Sequence, residues 1–374
     1  YQLLKELKDT WDPNHIFNPG KIVEVPDMTT NLRYEPGRKI RDISTVFDFS
    51  EVGGIIRATE KCNGSGDCRK TEITGGTMCP SYMATRNEND VTRARANILR
   101  EFLTNSPKNN PFDHEEIYEV MDLCLSCKAC KSECPSSVDV AKLKAEFLQH
   151  YYDEHGIPLR TKLIAYLPKL NKLGAIWPGF YNLFLKYKPV LRIVNKLLGF
   201  ASDRSMPLLQ PQTLEKWMKG YVKRIKENQT NKGTIYVFND EFTNFNDTDI
   251  GIKTIQLLTR LGYEVIIPEH LESGRTYLSK GLLRKAKKLV NQNIDLLKER
   301  ISADTPLIGV EPSAILAFRD EYPDLAYERN RESATMLSQN SYTIEEFLSN
   351  QMKAGTITTG QFTKKEQNIL LHGH

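Results

Sequence analysis

Cys124-Leu125-Ser126-Cys127-Lys128-Ala129-Cys130-Lys131-Ser132-Glu133-Cys134-Pro135 is the stretch that decides how this chain folds. Three cysteines follow one another as C-x2-C-x2-C; a fourth comes after a longer step and is followed by proline. Three thiolates on one short loop each reach a different iron of a cubic iron–sulfur cluster, and the fourth, set apart, serves a second cluster. Zinc is the rival reading. A tetrahedral zinc site usually takes its four ligands as two separated pairs, and four cysteines within eleven residues match that poorly.

Upstream lies a second group, Cys62-x5-Cys68-x10-Cys79-Pro80. Ser65 stands three residues after Cys62 and three before Cys68, where a cysteine would restore C-x2-C-x2-C. The step to Cys79 is lengthened by an insertion, Lys70 to Thr77, that contains Gly75-Gly76. Crossed ligation then assigns the sulfurs. Cys124, Cys127, Cys130 and Cys79 make a four-thiolate [4Fe–4S] site. Cys62, Cys68 and Cys134 make a three-thiolate site, for [3Fe–4S] or for [4Fe–4S] completed by the Ser65 oxygen, water or another residue. A hydroxyl is a poorer iron–sulfur ligand than a thiolate, so we read Ser65 first as a turn residue with a local hydrogen bond. Backbone N–H groups of Asn63, Gly64 and Gly66 are placed to donate to cluster sulfurs. Lys70, Lys128 and Lys131 either raise the potential by their charge or are ordinary solvated lysines.

All seven cysteines lie between positions 62 and 134 of a 374-residue chain. An odd, clustered set without a secretory pattern argues for metal binding in a reducing compartment rather than for disulfides. That places the chain in the cytoplasm, with the inner face of the membrane as the site of any peripheral contact. The balance of 51 basic and 47 acidic residues is too even to argue for nucleic acid. No apolar run reaches the ~18 residues of a membrane-spanning helix. The chain begins with Tyr1, and both ends read as cuts in a longer protein; Ile369 to His374 reads as a strand with nothing after it.

Outward from the cysteines the chain divides into regions. Residues 58–150 are helical, with cysteines on the loops. Ala94, Ile98, Leu99 and Phe102 mark one face of a helix from Val91 to Leu103, with Asn89 or Asp90 as its cap, and Val140 to Tyr152 forms another. Residues 26–57 read as an extended linker. Residues 151–232 read as short helices broken by prolines. Within them Phe184 to Phe200 mixes basic and apolar residues; we read it as a helix packed on the rest of the protein, the rival being a helix lying on a membrane surface. From Gly233 strands and helices alternate: strands at Thr234–Phe238, Tyr263–Pro268 and Leu307–Val310, helices at Ile250–Leu261 and Gly281–Ile301, and a helix starting at Ser313. That order indicates a parallel sheet with covering helices.

Particular residues carry a resemblance. Cys62-Asn63-Gly64 with Gly66-Asp67-Cys68-Arg69-Lys70, then Gly75-Gly76-Thr77-Met78-Cys79-Pro80-Ser81-Tyr82, then Thr92-Arg93-Ala94-Arg95-Ala96-Asn97 resemble the fused FAD-linked oxidase and iron–sulfur oxidoreductases. These are of the glycolate oxidase, D-lactate dehydrogenase and D-2-hydroxyglutarate dehydrogenase type. Asp12-Pro13 with Asn18-Pro19-Gly20-Lys21 resembles the end of the FAD-oxidase C-terminal domain, which would span 1–25. Residues 58–150 resemble a helical two-cluster ferredoxin domain, and 233–374 a cysteine-rich CCG domain, incomplete at its C-terminus. The fold class expected is thus α-rich and multidomain, ending in an α/β parallel-sheet domain. The resemblance implies an upstream FAD, in the chain's own preceding domain or in a flavoprotein subunit, that oxidises a 2-hydroxyacid. Electrons would leave through the clusters to a quinone, cytochrome or other acceptor. Asn18 and Lys21 would lie at the edge of the flavin pocket. A non-catalytic adaptor that docks a flavoprotein is the alternative. The chain departs from the CCG pattern at Glu272-Ser273-Gly274-Arg275 and at Glu311-Pro312-Ser313-Ala314, where cysteines are expected. A third metal or redox site there is therefore not expected.

Overall fold

A computed structural model describes every residue except 33, 35, 36, 226–231, 367, 369 and 371–374. The strand read at 369–374 thus falls almost wholly outside the described residues. The chain forms two compact units, residues 1–41 and 42–374.

In the first unit, α1 (Gln2–Trp11) buries none of its residues. Asp12 closes it, its carboxylate accepting the backbone N–H groups of Ile16 and Phe17, both at 2.9 Å. That pair of bonds shapes the turn that carries Asn18 and Lys21.

In the second unit, the cysteine region is built from α2 (Ile55–Glu60), α3 (Pro80–Thr85), α4 (Thr92–Asn105), α5 (Glu115–Asp122), α6 (Ala129–Glu133) and α7 (Val140–His155). Helix α7 is the pillar. Asp139 caps it through the Lys142 N–H, and it buries Leu143, Phe147, Leu148 and Tyr152. Its Glu146, wholly buried, accepts the backbone N–H groups of Val46 and Phe47 at 2.7 and 2.9 Å. Residues 42–57, read in sequence as part of an extended linker, are therefore tied into the interior with Val46, Phe47, Phe49, Ile55 and Ile56 buried. The expected cap of α4 is replaced: the helix starts at Thr92 after Val91 with no side-chain cap.

Four short helices follow: α8 (Leu159–Ala165), α9 (Leu167–Gly174), α10 (Pro178–Lys186) and α11 (Lys188–Leu197). The 184–200 stretch, read as one helix packed on the protein, is two helices held to it mainly by polar side chains. Helix α10 buries no residue and α11 only Asn195, because their apolar residues face solvent.

After α12 (Leu214–Ile225) comes the α/β region: β1 (Thr234–Phe238), α13 (Glu241–Phe245), α14 (Thr248–Arg260), β2 (Glu264–Ile266), α15 (Arg275–Ser279), α16 (Leu283–Leu297), β3 (Leu307–Gly309), α17 (Pro312–Ile315), α18 (Ala317–Leu325), α19 (Arg331–Gln339), β4 (Ser341–Thr343) and α20 (Ile344–Lys353). The strands form one parallel sheet in the order β2-β1-β3-β4. Alternate residues point to opposite faces. Ile235, Val237 and Ile308 meet Leu214, Ile255, Leu258 and Phe347 on one side. Phe238 and Leu307 join α16, α18 and the cysteine helices in a single core on the other.

Candidate iron–sulfur site

Cys79 stands just before α3, with Pro80 in the first helical position and a left-handed backbone (φ 62°). The C-x2-C-x2-C loop leaves α5 and enters α6. Along it Ser126 and Lys128 also hold positive φ, 55° and 63°. A side chain in that region is strained, and such strain concentrates where a site demands a particular geometry. These two stretches, 45 residues or more apart in the chain, meet: Cys79, Cys124, Cys127 and Cys130 line one cavity together with Ser81, Ser126 and Arg95.

Arg95 is the residue the motif reading passed over. Its side chain is only 2% exposed. Nε donates to the Val120 carbonyl at 3.0 Å, and Nη1 donates to Ser81 Oγ at 3.0 Å and lies 3.7 Å from Cys79 Sγ. Nη2 is buried without a hydrogen-bond partner. A buried guanidinium without a compensating charge is costly, so this cavity suits a negatively charged occupant. Four sulfur donors around it suit iron–sulfur ligation, and the residues present fit such a group. Its signal in the sequence was position alone: Arg95 sits at the end of the first turn of a helix whose residues Ala96 and Leu99 are core.

The thiols carry the mark of burial. Cys130 is pushed up to about 12, chiefly by loss of solvent, and Cys68 is raised for the same reason. A thiol left in such surroundings is inert; a metal in contact inverts that preference and holds the thiolate.

Two polar anchors set the loops. Lys144, buried on α7, donates to the carbonyls of Cys124 at 2.7 Å and Asp122 at 3.2 Å. Glu133 binds the insertion before Cys79 at both ends: it accepts from Lys70 Nζ (3.0 Å), Thr77 N–H (2.7 Å), Thr77 Oγ1 (2.6 Å) and Met78 N–H (3.2 Å). Gly76 passes this carboxylate so closely, at φ 84°, that a Cβ there would lie 2.6 Å from Glu133 Oε2. The lysines of the loop are paired charges, Lys131 with its side chain still exposed. Lys128 pairs with Asp320 and Glu321, both at 2.8 Å, and Lys131 with Asp320 at 2.9 Å. They lash the cysteine loop to α18.

The other sulfurs are less fully gathered. Cys68 is buried in the turn Asp67–Arg69, with Cys62 and Cys79 near enough to raise its thiol. Cys134 ends α6 and packs against the same core. Ser65 is exposed, and its N–H is held by the Asn63 side chain at 3.0 Å. All seven cysteines are free thiols. Asn18 and Lys21 lie on the exposed turn of the first unit, Asn18 at φ 46°.

A second cavity, of about 1820 Å³, opens beyond the carboxyl ends of β1 and β2. Glu241 lies in its wall, buried, accepting from Ser273 N–H (2.9 Å) and Ser273 Oγ (2.7 Å). Burial raises Glu241 to about 7 and its neighbour Asp240 to about 6. Among the described residues no three His, Cys, Asp or Glu side chains converge as for a single metal ion.

Residues 61–139 match the model of a 4Fe-4S dicluster domain. Over nearly its whole length the chain is similar to D-2-hydroxyglutarate dehydrogenases. It is 26% identical to that of Escherichia coli (strain K12), over 91% of this chain and 37% of that protein. It is 27% identical to that of Haemophilus influenzae, over 87% of this chain and 35% of that protein. No solved structure gives a match. The chain thus carries a 4Fe-4S dicluster domain over residues 61–139 and is homologous to D-2-hydroxyglutarate dehydrogenases, spanning little more than a third of the relatives' length.

Proposed function

We propose that this chain is the electron-transfer part of an FAD-dependent 2-hydroxyacid dehydrogenase, an oxidoreductase acting on a D-2-hydroxyglutarate, D-lactate or glycolate type of substrate. The observation that carries the reading is the meeting of Cys79 with Cys124, Cys127 and Cys130 in one cavity that Arg95 also lines, its Nη2 without a partner. When bound, two iron–sulfur clusters supply single-electron carriage between a flavin that takes two electrons from the hydroxyacid and a quinone, cytochrome or other acceptor. The chain's own residues do the rest. Cys79, Cys124, Cys127 and Cys130 hold a [4Fe–4S] cluster; Cys62, Cys68 and Cys134 hold the second, as [3Fe–4S] or an incompletely cysteine-ligated [4Fe–4S]. Arg95 neutralises charge at the first site and Lys144 fixes the carbonyls behind it. Asn18 and Lys21 border the flavin.

The adaptor reading is separated by redox titration, since a docking module needs no reducible clusters. Iron, acid-labile sulfide and paramagnetic resonance of anaerobically purified protein are the direct test. Two clusters per chain are expected; zinc or bonded cysteine pairs in their place would falsify the proposal.

A further inference from the structure

From His155 to Ser202 the chain holds eight Lys and Arg residues and not one Asp or Glu. In a chain whose 51 basic and 47 acidic residues nearly balance, this stretch carries the whole positive excess; without it the remainder is net acidic. The same stretch forms α8 to α11, and here the apolar side chains lie outside. On α10, Phe180, Leu183 and Phe184 fall at i, i+3 and i+4 and are exposed; on α11, Val190, Ile193 and Val194 repeat the spacing and Leu197 follows at i+7. Trp177, which precedes α10, is 74% exposed and Leu197 80%.

These faces are not loosely folded surface. Helix α10 is pinned by its opposite side: Asn182 exchanges two hydrogen bonds with Leu209, at 2.7 and 2.9 Å. Helix α11 is closed by buried Asn195, which donates to the carbonyls of Ser202 and Arg204. The polar side of each helix thus grips the protein while the apolar side is presented outward, flanked by Lys186, Lys188 and Lys196.

We propose that α10 and α11 seat this chain on an anionic lipid surface. Short amphipathic helices with aromatic and leucine side chains on one face and lysines at its border lie in the plane of a bilayer interface. Lysine and arginine near the surface add attraction to anionic headgroups. The charge selects this occupant over a second copy of the chain, because pairing two such faces would set the lysines that flank one face, Lys186, Lys188 and Lys196, against the same lysines of the other. The contact is surface-lying: among the described residues no helix is long and apolar enough to cross a membrane. One acid sits at the margin, Asp203, paired with Arg192 at 2.9 Å. Lys169 and Lys172 turn instead toward the large cavity, where they act on Glu272.

The experiment is co-sedimentation of the full, anaerobically purified chain with vesicles of phosphatidylcholine alone and of phosphatidylcholine with phosphatidylglycerol. Binding about tenfold tighter to the anionic vesicles, weakened by salt, is expected. The double variant Phe184→Glu/Ile193→Glu changes exposed side chains only, so its circular dichroism and iron content should match the parent while vesicle binding falls at least about tenfold. Should the variant misfold, quenching of Trp177 by brominated lipid in the parent, lost in Trp177→Phe, reads the same contact. Absence of binding to anionic vesicles overturns the proposal, as does a dimer in solution that Phe184→Glu/Ile193→Glu dissociates without any lipid binding. Unchanged iron and paramagnetic signals in that event leave the electron-transfer reading standing, so the two fail separately.

Discussion

The two cavities of the 42–374 unit solve the same problem, a polar group out of water, in opposite ways. At the cysteine cavity the buried cation Arg95 keeps one N–H end without a protein partner, and four cysteines line the same cavity. At the sheet edge, where the resemblance leads one to expect cysteines, oxygen groups stand instead and most of them pair with one another, Glu272 Oε2 and Asn239 Oδ1 excepted. Ser273 bonds Glu241 twice, Tyr322 donates to the Ser273 carbonyl, and Glu311 accepts from Ser313 and from the Ala314 N–H. A carboxylate–hydroxyl network completes itself with local hydrogen bonds; a guanidinium facing thiols needs an anion brought from outside. The difference is between a cation that the protein leaves for an anion to complete and carboxylates that local hydrogen bonds largely complete.

The contrast breaks most directly at Arg95. Arg95→Gln should destabilise the cluster-loaded protein, where the cluster would be the partner charge, by about 3 kcal/mol, the order found when one member of a buried charge pair is removed. Removing the cation also disfavours the reduced, more negative cluster, so the midpoint potential of one of the two paramagnetic signals should fall. Arg93→Gln, one residue pair away and paired at the surface with Glu88, is the control. If potentiometric titration finds both signals moved alike, or the two variants alike, Arg95 is not particular to one site.

Glu133→Gln comes next. The lost charge weakens four contacts that close the insertion onto α6, an expected cost of about 1–3 kcal/mol in urea unfolding. A cost within error would mean that the insertion is held by other means and that the meeting of the cysteine groups does not depend on this carboxylate.

The oxygen site predicts a pH signature. Folding raises Glu241 from 4.5 to about 7, first through burial, against the pull of the Ser273 bonds and with the Asp240 charge adding to the rise. Tyr277 and Tyr322 also face it. The folded chain therefore binds a proton that the unfolded chain has lost, and stability falls as pH rises from about 4.5 to about 7. Glu241→Gln should flatten that part of the urea-midpoint profile. An unchanged slope in the variant would assign the dependence to Asp240 instead.

Much of this was legible because it rests on local pattern. The strand Thr234–Phe238 is found as read, since β-branched and aromatic residues buried on both faces leave few alternatives. Strand β4 and helices α19 and α20 were not read: Ser341–Thr343 is three residues long, and its burial comes from pairing with β3, a partner the local sequence does not announce. The α4 face was found only in part, for a different reason. Leu99 is buried as read and Ala94, Ile98 and Phe102 pack half-buried against the core, whereas the buried Arg95, Ala96 and Leu103 were not read. Hydrophobic periodicity turns a helix away from its charged residues, and so it rotates a helix wrongly when a cation is part of the core. The same rule misjudged α10 and α11, whose apolar residues predict an interior they do not enter.

The smallest effect on stability is expected at Ser65. It is exposed, its backbone already shaped by Asn63, so Ser65→Cys should shift the urea midpoint by no more than about 0.5 kcal/mol. Its effect should be spectroscopic. A cysteine three residues from both Cys62 and Cys68 restores the spacing that ligates a full cube, so the oxidised protein should lose a [3Fe–4S] paramagnetic signal and the reduced protein should gain a [4Fe–4S] one. A signal that persists unaltered in the oxidised variant would mean that position 65 keeps the outward direction it has in the turn. In that case the three-thiolate site owes its open corner to the loop's shape and not to the hydroxyl that replaced a sulfur.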